Sequence, residues 1–363
     1  MPIKGNSKLS MQLQQRINAF ATLGSFLGQF ASEGAIKNPQ IPANESYFER
    51  MLQQLQSAKD HNGWFTRDNL RFACASWSEA LSEENLKKWT SKYNFKNGAP
   101  KTIAVIMAGN IPLVGFHDFI SVLISGNQIL IKQSSNDDQI LPLLSEYLQI
   151  IEPQFQGRIT ITKDKLSDFD AVIATGSNNT ARYFDHYFSR YPHIIRKNRN
   201  SVAVLTGGET PAQLQALADD IFTYFGLGCR NVSKLFVPED YNFDDFFNAV
   251  FEKKDIIQHN KYINNYDYNK AVYLMSGIQL LDNEFLLLKE DASYSSPISV
   301  VFYEYYSDTK SLRDKLAANS ERIQCIVSDS GISNEINFGK AQTPQLWDYA
   351  DGVDTLDFLL KLS

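Results

Sequence analysis

The stretch KTIAVIMAGNIPLVGFHDFISVLISGNQILIKQS (residues 101–134) decides the fold. It opens with IAVIM at 103–107, a short apolar run of strand type. An apolar helical segment follows over 113–125, and a turn at Gly126 and Asn127 delivers a second strand, QILIK at 128–132. Strand, helix, strand in this order is how a parallel pair is joined by a crossover. Downstream the alternation continues. Residues 142–151 read as a helix, ITIT at 159–162 as a third strand and DAVIATGS at 170–177 as a fourth. The expected class is α/β, and ligands on such sheets lie beyond the carboxyl ends of the strands.

Working outward, residues 8–35 and 47–95 carry helical periodicity, with a proline-flanked connector, NPQIPAN, at 38–44. Cys74 falls within that helical pattern and reads as core. A second α/β unit opens at SVAVLTGG, residues 201–208. The segment TPAQLQALADDIFTYFG (210–226) predicts a helix capped by Thr210, with Pro211 in its first turn and an end at Gly226. Further strands are expected at 234–237, 271–275, 298–303 and 323–327. The organisation that follows is a helical region over 1–97, one sheet domain over 98–199, a second over 200–335, and a final segment, 336–363, packing back on the body.

Composition excludes several function classes. The 363 residues are 43% hydrophobic, enough for two ordinary domains, and the net charge is −6. No block of five or more basic residues appears, so a nucleic-acid surface is not expected. The densest basic stretch is RKNR at 196–199, long enough for one phosphate. The N-terminus lacks a continuous apolar core and a small-residue cleavage site, so no signal peptide is read. The longest apolar candidate, 116–131, is broken by His117, Asp118 and GNQ at 126–128, short of the roughly 18 residues that span a bilayer. A soluble, cytoplasmic protein is expected. Three cysteines without a CxxC motif argue against a disulfide framework or a zinc site, and five histidines show no metal-ligand spacing.

Of the three cysteines, Cys229 stands apart. Cys325, in IQCIV, alternates as a strand core residue would. A lone cysteine is more often a small buried hydrophobe than a nucleophile. Cys229, however, sits in GLGCR (226–230), where glycines let the backbone approach a ligand. Arg230 and Lys234 follow closely, and positive charge near a thiol raises its thiolate fraction.

The segment FGLGCRNVSKLFV (225–237) resembles the nucleophile segment of the aldehyde dehydrogenase superfamily, in which a glycine stands three residues before the catalytic cysteine and a basic residue five after. Here these are Gly226, Cys229 and Lys234. AGNIP at 108–112 looks like the superfamily's Trp-Asn-Phe-Pro segment, which implies an oxyanion role for Asn110. GNQILIKQS at 126–134 resembles its Gly-Asn-x-x-x-x-Lys-Pro-Ser strand, which implies that Lys132 touches the adenosine ribose. ATGSN at 174–178 resembles its Thr-Gly-Ser turn, which implies cofactor contacts from Gly176 and Ser177. Four motifs in the right order span 103–240. The implied fold is aldehyde dehydrogenase-like, with two Rossmann-type parallel-sheet domains after an N-terminal helical segment. The first domain would hold the nicotinamide cofactor and the second the catalytic cysteine.

One departure is informative. Where hydrolytic dehydrogenases carry a water-activating glutamate in Glu-Leu-Gly-Gly, this chain has LTGGE, with Leu205 at the glutamate position and Glu209 beyond the glycines. Without a base, water attack on an acyl-enzyme is slow. Residues 103–240 therefore look most like the acyl-CoA reductase (LuxC-type fatty-acid reductase) family. That resemblance implies NADPH, an acyl-CoA or acyl carrier protein thioester as substrate, an aldehyde product, and either a homo-oligomer or an acyl-transferring partner enzyme. The superfamily's later Glu-x-Phe-Gly-Pro motif has only SYSSP at 293–297; Glu290 and Asp291 stand too early for its glutamate, and that role is left unassigned. Read alone, Asn110 is also a turn residue, Lys132 a strand-end lysine and His117 a packing residue. The tyrosine-rich stretch 262–273 reads as a packed surface loop, with the lining of an acyl or pantetheine channel as the alternative. Two rival readings stay open: an aldehyde, semialdehyde or acyl-phosphate enzyme of related fold, using RKNR at 196–199 as a phosphate pocket, and a non-catalytic scaffold that kept the fold.

Overall fold

A computed structural model describes residues 11–95 and 98–362. The start of the helical stretch expected from residue 8, and the expected boundary at Asn97, lie outside these residues. The chain forms two compact units: residues 1–197 with 345–349 and 353–363, and residues 198–344 with 350–352.

The first unit begins with four helices, α1 (Leu13–Gly28), α2 (Asn44–His61), α3 (Arg67–Ala80) and α4 (Glu83–Thr90). Thr66 and Ser82 start the last two, their hydroxyls accepting from the backbone N–H groups of Asn69 and Asn85. The sheet section follows as β1 (Thr102–Ile106), α5 (Phe116–Ile124), β2 (Gln128–Lys132), α6 (Ile140–Ile151), β3 (Ile159–Ile161), β4 (Ala171–Thr175), α7 (Asn178–Tyr187) and β5 (His193–Arg196). All pairs are parallel, in the order β3-β2-β1-β4-β5. Ile103 and Val105 enter a core shared with Ile129, Ile131 and the α1, α5 and α6 side chains, while Ala104 enters another with Val172, Ala174 and Phe188. Burial on both faces is why these strands read as continuous apolar runs. Asp118 is buried within α5 because the Arg196 guanidinium bonds it, and Arg196 also donates to Thr355 Oγ1 at 3.0 Å.

The second unit runs β6 (Asn200–Val204), α8 (Pro211–Phe222), β7 (Val232–Pro238), α9 (Phe243–Val250), α10 (Asn260–Met275), β8 (Leu281–Asp282), β9 (Leu287–Glu290), β10 (Val300–Tyr306), α11 (Thr309–Ala318), β11 (Ile323–Val327) and β12 (Glu335–Ile336). Its sheet order is β12-β11-β6-β7-β10-β9-β8, parallel except for the β8–β9 pair. A last helix, α12 (Thr355–Lys361), belongs to the first unit, where Leu356 and Leu359 enter the main core.

Two local expectations are corrected. The strand expected over 271–275 and the loop expected over 262–273 are both parts of α10. Tyr262, Tyr266 and Asn269 recur at helical spacing and are buried, and the Tyr262 hydroxyl donates to Phe285 O at 3.0 Å. That period outweighs the β-propensity of AVYLM. The helix expected to end at Gly226 stops at Phe222, and Thr223–Gly226 is a 3-10 turn. Among the described residues, no helix is long and apolar enough to cross a membrane.

Candidate active site

The order of the first sheet places β1 between β2 and β4, so their carboxyl ends lie side by side: Ile106 registers with Lys132 on one side and with Ala174 on the other. Each end carries a residue singled out in the sequence. After β1 the chain passes through Gly109 and exposed Asn110. The Met107 N–H continues the ladder to Lys132 O at 3.0 Å. A Cβ on Gly109 would lie 2.6 Å from Ser134 Oγ and 3.2 Å from the Asp137 nitrogen, so only glycine fits between the two loops. Leu113, held at φ 56°, donates its N–H to Asp137 Oδ2 at 2.8 Å. Burial pushes the Asp137 carboxyl up to about 7, against the pull of that hydrogen bond.

At the end of β2, Lys132 Nζ donates to Asp164 O at 3.2 Å. After β4, the Gly176 N–H donates to Arg196 O at 3.3 Å, and Ser177 caps α7, its hydroxyl accepting from Thr180 N at 3.3 Å. A Cβ on Gly176 would meet Thr180 Cβ at 3.0 Å and the Phe184 ring at 3.2 Å, so this glycine lets α7 start close to the strand. Asn110, Lys132, Gly176 and Ser177 thus share one sheet edge.

Cys229 belongs to the second unit. It is the exposed member of the three cysteines, none of which is in a disulfide. Cys74 is buried, and burial pushes its thiol up to about 12. Three consecutive residues ahead of Cys229 have positive φ: Tyr224 at 56°, Phe225 at 59° and Gly226 at 75°. For the two aromatics this backbone costs on the order of 1–2 kcal/mol each. Asn231, just after Cys229, is buried and makes four side-chain hydrogen bonds. Its Nδ2 donates to the carbonyls of Asp220 (3.1 Å), Ile221 (3.2 Å) and Thr223 (2.8 Å), and its Oδ1 accepts from Gly228 N at 2.8 Å. Ser201 Oγ donates to Cys229 O at 3.0 Å and lies 2.9 Å from Cys325 Sγ. The sequence reading missed Asn231 and Ser201, whose bonds run to backbone groups that sequence spacing does not reveal.

Several charges are accounted for. Lys234, whose charge the sequence reading assigned to the thiol, is fully buried and paired with Glu304 at 2.6 Å, with a further bond to Asp291 O at 2.9 Å. Desolvation lowers its pKa. Arg230 Nε donates to Ala341 O at 2.5 Å. The phosphate pocket read at 196–199 is corrected too: Arg196 is buried on Asp118, Arg199 pairs with Asp351 at 3.2 Å, and Lys197 lies 3.8 Å from Asp185. Leu205 is fully buried at the end of β6. Glu209 folds back on its own loop, accepting from Thr206 N at 2.6 Å, Thr206 Oγ1 at 2.8 Å and Gly207 N at 3.1 Å. His117 is packed, with Nε2 2.9 Å from Leu346 O, and burial lowers its pKa. Among the described residues, no group of three or more His, Cys, Asp or Glu side chains could hold a metal ion.

Comparison with known proteins places this geometry. The fold is that of the aldehyde dehydrogenases. The chain superposes on aldehyde dehydrogenase 21 from Physcomitrella patens, solved with its product succinate, with a TM-score of 0.69 and 13% identity, covering 98% of this chain and 85% of that one. It also resembles an aldehyde dehydrogenase from Bacillus cereus solved with NAD+ (TM-score 0.62, 12% identity, 90% and 73% of the two chains). A third likeness is to an NADP-dependent enzyme from E. coli (0.63, 10%, 89% and 74%). A curated long-chain acyl-protein thioester reductase from Photorhabdus laumondii is 22% identical over 172 residues, 42% of this chain. That match spans 35% of the relative's own length. The acyl-CoA reductase (LuxC) family matches residues 11–297, and this chain belongs to that family.

Proposed function

We propose that this protein is an oxidoreductase that reduces an acyl thioester, acyl-CoA or acyl-protein, to an aldehyde through an acyl-enzyme on Cys229, with NADPH as reductant. The family match supports acyl reduction, and the named Photorhabdus relative supports a protein-borne donor. The observation that carries the reading is one pairing: an exposed thiol at Cys229, and buried Leu205 where a hydrolytic enzyme would hold its water-activating carboxylate. Residues 98–199 are the proposed cofactor domain and residues 200–335 the proposed cysteine domain.

The first sheet fits a nicotinamide dinucleotide. Lys132 offers an ammonium, α7 offers N-terminal backbone N–H groups behind Ser177, and the two stand at strand ends that flank β1. Lys132 would hold the adenosine ribose, and Gly176 with Ser177 the pyrophosphate and nicotinamide side. Bound there, the reduced nicotinamide supplies the hydride that turns a thioester carbon into an aldehyde carbon.

Cys229, as thiolate, attacks the thioester carbonyl, and the carrier leaves as its own thiolate. One thioester replaces another, so no stronger nucleophile is required. Asn110 and the Cys229 N–H are the proposed oxyanion donors; losing one such donor typically lowers the rate on the order of a hundredfold. With no carboxylate at position 205, hydrolysis is slow and the acyl group stays on sulfur. After reduction Cys229 leaves as a thiolate, and one proton from solvent completes the balance. A reduced Cys229 suits a cytoplasmic setting.

Mixing the protein with acyl-CoA alone is expected to add one acyl mass at Cys229. Cys229→Ala is expected to abolish acyl-CoA-dependent NADPH oxidation while keeping the fold. An adduct on Cys74 or Cys325 instead, or retained turnover, refutes the reading. A panel of acyl thioesters with NADPH and NADH, followed by absorbance, decides donor and cofactor.

A further inference from the structure

We infer that Asn231 is a positioning residue that sets the backbone of the Cys229 turn through its side-chain amide; the inference rests on Cys229 being the nucleophile. The chain between α8 and β7 must reverse within a few residues, and it does so through left-handed Tyr224, Phe225 and Gly226. Such a path persists only where surrounding bonds over-determine it. Here the Asn231 side chain supplies four of them. The last turn of α8 leaves carbonyls without helical partners, and Asn231 Nδ2 gathers those of Asp220 and Ile221 together with the Thr223 carbonyl of the 3-10 turn that follows. The opposite end of the same amide accepts from Gly228 N, the residue immediately before Cys229.

Asn231 thus ties the fixed end of a helix to the peptide that carries the nucleophile. Its backbone N–H closes the turn on Gly228 O at 3.0 Å, and from the sheet side the Ser201 hydroxyl holds the Cys229 carbonyl. The amide is used at both ends. Asp keeps the acceptor and loses the donors, and Ala loses both. No other small side chain reproduces the set.

The test measures three quantities on wild type, Asn231→Ala, Asn231→Asp and a control, Asn283→Ala. The control removes an amide that serves the β8–β9 turn, accepting from Leu286 N at 2.9 Å. Asn231 substitutions are expected to lower kcat about a hundredfold while KM for the thioester moves less than about threefold, as for a misplaced nucleophile. They are also expected to change the rate of Cys229 alkylation by iodoacetamide at least about tenfold, read by peptide mass. The control lowers Tm and leaves both rates at wild-type values. Unchanged kcat and alkylation in a destabilised Asn231 variant overturn the inference. If wild type shows no acyl transfer but alkylation still depends on Asn231, the enzymatic reading fails and the positioning role stands. Hydrogen exchange on wild type needs no variant: the Gly228 amide is expected to be protected, and unprotected exchange overturns the inference whether or not the variants fold.

Discussion

Gly109 and Asp137 show how single residues shape the loop that carries Asn110. A methyl group at Gly109 would sit 2.6 Å from Ser134 Oγ and 2.7 Å from Ser134 Cβ. Gly109→Ala therefore pushes the loops after β1 and β2 apart. On the oxyanion role proposed for Asn110, the expected outcome is a kcat lowered by about tenfold or more, as for small displacements of catalytic groups, with the protein still folded by circular dichroism. Asp137 makes a pH prediction. Its folded-state pKa is raised from 3.8 to about 7, so the folded protein binds this proton more tightly than the unfolded chain does. Stability from this group is therefore present at pH 4 and lost as pH rises to about 7. Asp137→Asn keeps an acceptor for the Leu113 N–H and carries no charge to desolvate. It is expected to raise stability at pH 8 by on the order of 1–3 kcal/mol and to add nothing at pH 4, measured by denaturant unfolding at both values. The sequence named Asn110 through its neighbours. It was silent on Asp137, because nothing in KQSSNDD separates a buried aspartate from an exposed one.

At the level of elements, α8 was legible and α10 was not. Thr210 and Gln213 form a capping box with Pro211 in the first turn, and the structure has Thr210 Oγ1 accepting from Gln213 N at 3.3 Å. Thr210→Ala is expected to lower stability by about 1 kcal/mol, read as a lower midpoint in urea with an unchanged slope. The signals for α10 were divided. Its last turn, AVYLM, has the composition of a strand, and its buried face is made of tyrosines and an asparagine rather than aliphatic residues. Binary patterning therefore undercounted that face. The strand β5 escaped for the opposite reason: HIIR is only four residues long and ends in the arginine that read as a phosphate site. What fixed Arg196 as structural was Asp118, 78 residues earlier in the chain, a pairing no local window contains.

At the level of the whole molecule, most strands of both sheets could be read from apolar runs and turn residues, and a final segment packing back on the body was expected, but which unit it joins and which partners it meets could not be read. Residues 353–363 return to the first unit. Leu356 and Leu359 are fully buried there, and Thr355 bonds the guanidinium of Arg196. Removing residues 353–363 leaves that buried arginine one partner short and opens the core at two leucines. Deleting one buried leucine side chain alone costs roughly 2–5 kcal/mol, so the truncated protein is expected to be mostly insoluble on expression. Any soluble fraction is expected to melt at a temperature lower by ten degrees or more, on the usual scaling of stability with Tm.

The second unit is, topologically, an insertion in the first, and this has a bearing on biosynthesis. A ribosome delivers residues 198–344 before it delivers the leucines that complete the earlier unit. Domains ordinarily mature from the amino end during translation. Here the later-made half can settle while the earlier-made half still waits, its hydrocarbon surface exposed to chaperones until residues 353–363 have been made.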